Sequence, residues 1–152
     1  MANRKPMLDE LFSGQGVVCR TPEETVHLGE EISTLIEPGT VLSLEGPLGA
    51  GKTQLTKGVA AGLGCAEEPS SPSFTIMHEY AGGPFPLHHF DFYRLKSAEE
   101  LYAAGFDDCL MDGGIVVEWG DKFPESLPGR TIRLSFEILP RGGRRIRGSR
   151  AP

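Results

Sequence analysis

Gly46, Gly51, Lys52 and Thr53 occupy the fixed positions of the pattern G-x-x-x-x-G-K-[ST], with Pro47, Leu48, Gly49 and Ala50 between them. Each fixed position has a physical task in holding a polyphosphate. The glycines let the backbone curl and turn its N–H groups inward. The Lys52 ammonium can reach β- and γ-phosphate oxygens, and the Thr53 hydroxyl is placed to bind Mg²⁺. Gly46 through Thr53 are therefore the expected nucleotide-binding residues, with Lys52 also a charge-stabilising catalytic group. A chain with 20 glycines meets such a pattern by accident more readily than most, so its flanks matter. Val41-Leu42-Ser43-Leu44-Glu45 reads as a strand entering the loop, and Leu55, Val59 and Leu63 recur every four residues as in a helix opening at Lys52. Strand, loop and helix in that order set a positive helix end on phosphate.

Catalysis at such a loop also needs a carboxylate near the metal and a group that positions the attacking molecule. Glu118 ends the apolar run Gly114-Ile115-Val116-Val117, at the carboxyl edge where open α/β sheets bind ligands. It is the expected metal carboxylate, acting with Thr53 directly or through water. Asp91 lies in His89-Phe90-Asp91-Phe92-Tyr93-Arg94, where alternation puts His89, Asp91 and Tyr93 on one face and Phe90 and Phe92 on the other. A carboxylate on an apolar strand is costly unless paired or functional. Asp91 either orders an attacking water or joins the metal shell; a structural ion pair with Arg94 is the alternative. His88 and His89 lack the partners of a metal site and read as structural or as minor contacts. Trp119, the single tryptophan, follows Glu118 as an active-site neighbour, a docking surface or a core residue. Ser73 and Thr75, in or beside a proline-bracketed loop, are hydroxyls suited to sensing a terminal phosphate, although turn chemistry also explains Ser73.

These residues need a scaffold, and the rest of the chain outlines one. Residues 1–16 read as a flexible leader, residues 17–147 as the folded domain and residues 148–152 as the end of a basic tail. Thr21-Pro22-Glu23-Glu24 and Ser97-Ala98-Glu99-Glu100 are capping boxes that open helices. Phe74–Tyr80 and Phe85–Tyr93 flank Gly82-Gly83 and predict a hairpin, and Thr131–Leu139 alternates as a further strand. The expected fold is α/β: a single P-loop NTPase domain whose mostly parallel central sheet is flanked by helices, with an antiparallel hairpin and C-terminal strands. Arg141, Arg144, Arg145, Arg147 and Arg150 crowd the end, a solvated and partly disordered segment or a contact for tRNA or an acidic face.

Length and composition fit this outline. A chain of 152 residues is one ordinary domain, and 39% hydrophobic with 24% charged residues is globular rather than disordered. The formal charge of −6 argues against a surface built to grip nucleic acid everywhere. Three cysteines, widely spaced and without a C-x-x-C pair, fit a reducing compartment and give no zinc signal. No apolar run would span a bilayer, and Arg4 and Lys5 precede no apolar stretch of a signal peptide. A cytoplasmic protein with no membrane partner is expected.

The phosphate loop, then Ser71-Pro72-Ser73-Phe74-Thr75, then His89-Phe90-Asp91-Phe92-Tyr93-Arg94-Leu95, then Val117-Glu118-Trp119 together resemble the TsaE family. These are small bacterial ATPases of tRNA threonylcarbamoyladenosine synthesis, and the resemblance spans roughly residues 20–147. It implies ATP and Mg²⁺ as cofactors. It also implies hydrolysis in the service of a TsaB–TsaD complex that transfers threonylcarbamoyl to an adenosine beside the tRNA anticodon, with tRNA met through that complex. By motif position, Thr53 and Glu118 look like the metal pair, Asp91 like the hydrolytic residue and Trp119 like a neighbour of the site. Thr21-Pro22 and Arg144 fall where the family closes around the nucleotide. Ser73 stands where threonine is usual and keeps the hydroxyl.

Two other functions remain open on the residues. A small-molecule P-loop kinase needs an acceptor pocket and an arginine-bearing lid, yet Arg94 is the only arginine between the loop and Glu118. A nucleotide-gated binding module, in which turnover is slow and the bound state matters, is compatible with the family resemblance. A GTPase is disfavoured, because its N-K-x-D motif needs an asparagine and the sole one is Asn3.

Overall fold

The apolar runs of the sequence assemble into one sheet with helices on both faces. The computed structural model describes residues 6–47, 49–66 and 76–150. In chain order its elements are α1 (Pro6–Leu11), β1 (Val17–Cys19), α2 (Pro22–Ile32), β2 (Val41–Glu45), α3 (Lys52–Gly62), β3 (Met77–Tyr80) and β4 (Leu87–Asp91). After these come α4 (Ala98–Ala103), α5 (Phe106–Asp112), β5 (Gly114–Glu118), β6 (Ile132–Ile138) and β7 (Arg144–Ser149). The strands lie in the order β1-β7-β6-β2-β5-β4-β3. The inner four, β6, β2, β5 and β4, run parallel, while β3, β7 and β1 are antiparallel to their neighbours. The expected α/β class, parallel centre, hairpin and C-terminal strands are all present.

Period-two alternation in the central strands divides the core in two. Leu42, Leu44, Val116 and Leu134 join Leu28, Ile32, Leu55 and Val59 from α2 and α3. Val41, Ile115, Val117 and Phe90 face the other way and pack with Leu101 and Phe106 from α4 and α5. Among the described residues no helix is long and apolar enough to cross a membrane.

Both capping boxes form. Thr21 Oγ1 accepts from Glu24 N at 3.1 Å and Ser97 Oγ from Glu100 N at 3.3 Å. The returning carboxylates reach one residue upstream of the cap, Glu24 to Arg20 N at 2.7 Å and Glu100 to Lys96 N at 2.8 Å. Behind the sheet, α2 and α3 cross with glycines in contact. A Cβ on Gly29 would lie 3.0 Å from Gly58 Cα, and one on Gly58 would collide with the Val26 carbonyl. That close approach fixes where α3, and hence Lys52 at its start, sits against the sheet.

Two expectations are corrected. The leader is not loose throughout: Pro6–Leu11 is helical and Leu11 is fully buried in the first core cluster. The arginine-rich end is not a solvated tail, and the expected boundary at residue 147 falls inside β7. Ile146 is the one apolar anchor, buried between β6 and β1. Arg145 and Arg147 approach Glu137 on β6 at 3.9 and 3.4 Å and donate to the Gln15 and Gly14 carbonyls. A strand with a single buried apolar residue carries too little alternation to be seen in sequence, and here cross-strand charge and backbone pairing hold it. Loss of residues 145–152 therefore removes most of a strand.

Cys19, Cys65 and Cys109 are free thiols, and all are buried. Burial raises each, and for Cys109 the nearby Asp112, Glu79 and Asp108 carboxylates help push it up to about 11. A thiolate is the reactive form. The native protein at pH 8 is therefore expected to release little chromophore from a disulfide reagent over minutes, and all three equivalents in denaturant. Rapid native labelling of Cys109 would contradict this burial.

Candidate functional site at the phosphate loop

β2 delivers the chain to the loop at the carboxyl edge of the sheet, and three glycines shape the path from there into α3. Gly46 has φ 152° and passes over Phe136, whose carbonyl would be 2.9 Å from an added Cβ. Gly49 and Gly51 take left-handed φ values of 82° and 102°, a conformation that side chains resist. Gly51 is also the N-cap of α3, so no side chain caps that helix. Its first-turn N–H groups have no acceptor within the helix and are left for a ligand. A side-chain cap at Gly51 would have filled this position, so the geometry fits an anion.

Lys52 is buried to 7% exposure and folds back over the loop, donating from Nζ to the Gly46 carbonyl at 2.8 Å. The same ammonium lies 3.9 Å from Glu118 Oε1 and 5.4 Å from the centre of the Trp119 ring. Glu118 arrives from β5, whose register pairs it with Leu44 on one side and Asp91 on the other. Its Oε2 accepts from His89 Nε2 at 2.8 Å. Burial works to raise the Glu118 carboxyl, yet the His89 hydrogen bond and charge and the Lys52 ammonium outweigh it and hold the group below its ordinary range. Glu118 is thus kept as an anion at the mouth of the loop.

Asp91 is the register neighbour of Glu118 but is used differently. Its Oδ1 accepts from Tyr93 N at 3.0 Å, capping a turn of 3₁₀ helix at Phe92–Arg94, and its Oδ2 is 3.8 Å from Arg94 Nε. That ion pair is largely exposed and worth little. The expected strand through Tyr93 therefore ends at Asp91, because the aspartate turns the chain. Phe90 and Phe92 are fully buried, as alternation required, and Tyr93 swings out to pack against Trp119, the rings tilted by 44° with centres 5.1 Å apart. Trp119 is the one non-glycine residue with positive φ, 62°, among the described residues, and such backbone strain is held in place by its surroundings.

Thr53 is the second residue of α3 and is exposed at the loop. Arg144, the first residue of β7, donates from Nε and Nη2 to the Gly49 carbonyl at 3.3 and 3.0 Å, so the far end of the chain grips the loop. Between it and the start of α2 lies a cavity of about 200 Å³ lined by Thr21, Pro22, Thr25, Gly51, Gln54 and Arg144. A second cavity, of about 280 Å³, opens on the opposite flank among Gly46, Lys52, Trp119 and Asp121. Leu48, Ser73 and Thr75 lie outside the described residues. Among the described residues no cluster of three or more His, Cys, Asp or Glu could cage a metal. Oxygen donors at this edge include the exposed Thr53 hydroxyl and the paired strand-end carboxylates Glu118 and Asp91.

His89 is the residue that sequence reasoning undervalues. Its surroundings in the chain mark it as structural or as a minor contact, yet it makes the short hydrogen bond to Glu118. Its place two residues before Asp91, on the same face of β4, was the available signal.

The model of the family described as "Threonylcarbamoyl adenosine biosynthesis protein TsaE" matches residues 19–146. The tRNA threonylcarbamoyladenosine biosynthesis protein TsaE of Treponema pallidum (strain Nichols) is 40% identical over 130 residues, 85% of this chain and 96% of that protein. Its counterpart in Bacillus subtilis (strain 168) is 41% identical over 123 residues, 80% of this chain and 75% of that one. The crystal structure of Bacillus subtilis YdiB superposes with a TM-score of 0.69 at 37% identity, covering 86% of this chain and 82% of that chain. With the phosphate loop, the parallel sheet and these relatives in agreement, the chain belongs to the TsaE family of tRNA threonylcarbamoyladenosine biosynthesis proteins.

Proposed function

We propose that the chain is a Mg²⁺-dependent ATPase that supports threonylcarbamoyl transfer to the tRNA adenosine beside the anticodon, acting with a TsaB–TsaD complex through which tRNA is met. The observation that carries the ATPase reading is the convergence of Lys52 and Glu118 beside the uncapped start of α3. The N–H groups of that first turn and the Lys52 ammonium hold the terminal phosphates and draw off charge as the bond to the leaving group breaks. The cavity between Thr21-Pro22 and Arg144 takes the base and ribose. Thr53 and Glu118 would hold a Mg²⁺ ion, which prefers one or two protein oxygens plus phosphate and water and would supply positive charge to offset that of the phosphates. Asp91 orients the attacking water and accepts its proton. By motif position Ser73 is assigned to sensing the terminal phosphate, and Trp119 walls the site.

The test is ATP hydrolysis measured with Mg²⁺, with and without the TsaB–TsaD pair. Stimulation by the pair is expected, with a loss of about a hundredfold in Asp91→Ala. Phosphate transfer to a small metabolite without a partner effect would instead identify a kinase. Tight binding with no turnover under any condition would identify a gated binding module.

A further inference from the structure

We infer that His89 is a positioning residue that holds the Glu118 carboxylate in the orientation required for the cation. The inference rests on the Mg²⁺ reading of the site. His89 pairs in register with Val116, so Glu118, two residues on, is its diagonal neighbour on the same face of the sheet. At that spacing only long side chains meet. The imidazole does so through its outer nitrogen, Nε2, which carries the hydrogen in the imidazolium and in one neutral tautomer.

Among the described residues this is the only hydrogen bond to the Glu118 carboxylate, because Lys52 Nζ stands off at 3.9 Å. A glutamate at a strand end has three rotatable bonds, and an ammonium within reach is a competing destination. His89 ties Oε2 down at 2.8 Å, leaving Oε1 on the side of Lys52 and the phosphate loop. The bond lies in a sheltered place, with His89 14% and Glu118 19% exposed, where a charge-assisted hydrogen bond is strong. His78, the register partner of His89 on β3, backs it with ring centres 6.4 Å apart. Without the imidazole, Glu118 is free to close on Lys52, which removes a cation ligand and occupies the phosphate-binding ammonium together.

The experiment compares His89→Gln, whose side-chain amide offers an N–H, with His89→Met, which fills similar space and offers none. Affinity for a non-hydrolysable ATP analogue is read from Trp119 fluorescence in Mg²⁺ and in EDTA, and the ratio of the two dissociation constants is the measure. In the wild type Mg²⁺ should tighten binding, and Glu118→Gln should abolish that gain. If the wild type shows no gain, the Mg²⁺ reading itself fails. With the gain present, His89→Met should reduce the ratio about tenfold or more, as loss of a partner behind a metal ligand does. His89→Gln should retain most of it. Adding His89→Met to Glu118→Gln should then change nothing further. Equal ratios in Gln and Met, or an effect that persists in the Glu118→Gln background, would overturn the inference and leave His89 a packing residue.

Discussion

Gly58→Val is expected to destabilise the protein by about 2–3 kcal/mol or more, the overpacking penalty of a crowded interior. The melting temperature should fall by roughly 4–12 °C, given about 2–4 °C per kcal/mol for a chain of this size. The obstacle is backbone, so no side chain can turn aside: an added Cβ meets the Val26 carbonyl and lies 3.0 Å from Gly29 Cα. The sign of Gly58→Ala makes the sharper test. In an exposed helix interior that change stabilises by about 1 kcal/mol through propensity alone. Here it should destabilise, because α2 and α3 must move apart to admit a methyl group. A melting temperature raised by Gly58→Ala would show that the helix crossing is not tight. Nucleotide affinity should fall as well, since α3 begins at Lys52 and a displaced helix carries the loop with it.

Lys52→Ala is expected to have the largest effect on activity, a loss of at least about a hundredfold in hydrolysis, as when one charge-stabilising donor is removed from an active site. Nucleotide affinity, followed through Trp119, should fall with it. Stability should change far less than in Gly58→Val, because Glu118 keeps its hydrogen bond to His89. Lys52→Arg should not rescue activity. The ammonium is 7% exposed and enclosed by the Gly46 carbonyl, Glu118 and the Trp119 ring, and a planar guanidinium is larger and differently hydrated. An arginine variant with near-normal turnover would mean that positive charge alone suffices at this position.

The parts of the molecule that were legible in sequence are those where one strong local signal decides. The glycine pattern with its flanking strand and helix gave the loop. Alternation gave β4 and the burial of Phe90 and Phe92, and S/T-x-x-E gave the starts of α2 and α4. The place of Glu118 beside the loop was legible because an apolar run ending in a carboxylate marks the carboxyl edge of an open sheet. What escaped depends on partners distant in the chain. β7 exists because β6 and β1 bracket it, and its arginines are satisfied by Glu137 and by carbonyls at residues 14 and 15. The same holds for His89, whose role is visible only once β5 lies beside β4. The close crossing at Gly29 and Gly58 left no trace beyond two glycines in helical segments, which propensity alone would count as weaknesses.

The placement of β2 has a consequence for the order in which the molecule can be built. This strand is the middle of the sheet, yet both neighbours come much later in the chain, β5 from residue 114 and β6 from residue 132. At ribosomal rates of ~5–20 residues per second, about seventy residues of synthesis separate β2 from its first partner, a wait of several seconds. Throughout that interval Val41, Leu42 and Leu44 have no strand to pair with, and the phosphate loop has no sheet edge to rest on. Nascent chains halted before β5 should therefore engage chaperones and bind no nucleotide. The phosphate loop is made by Thr53, yet the strand that carries it is flanked on both sides only once synthesis has passed Ile138 at the end of β6.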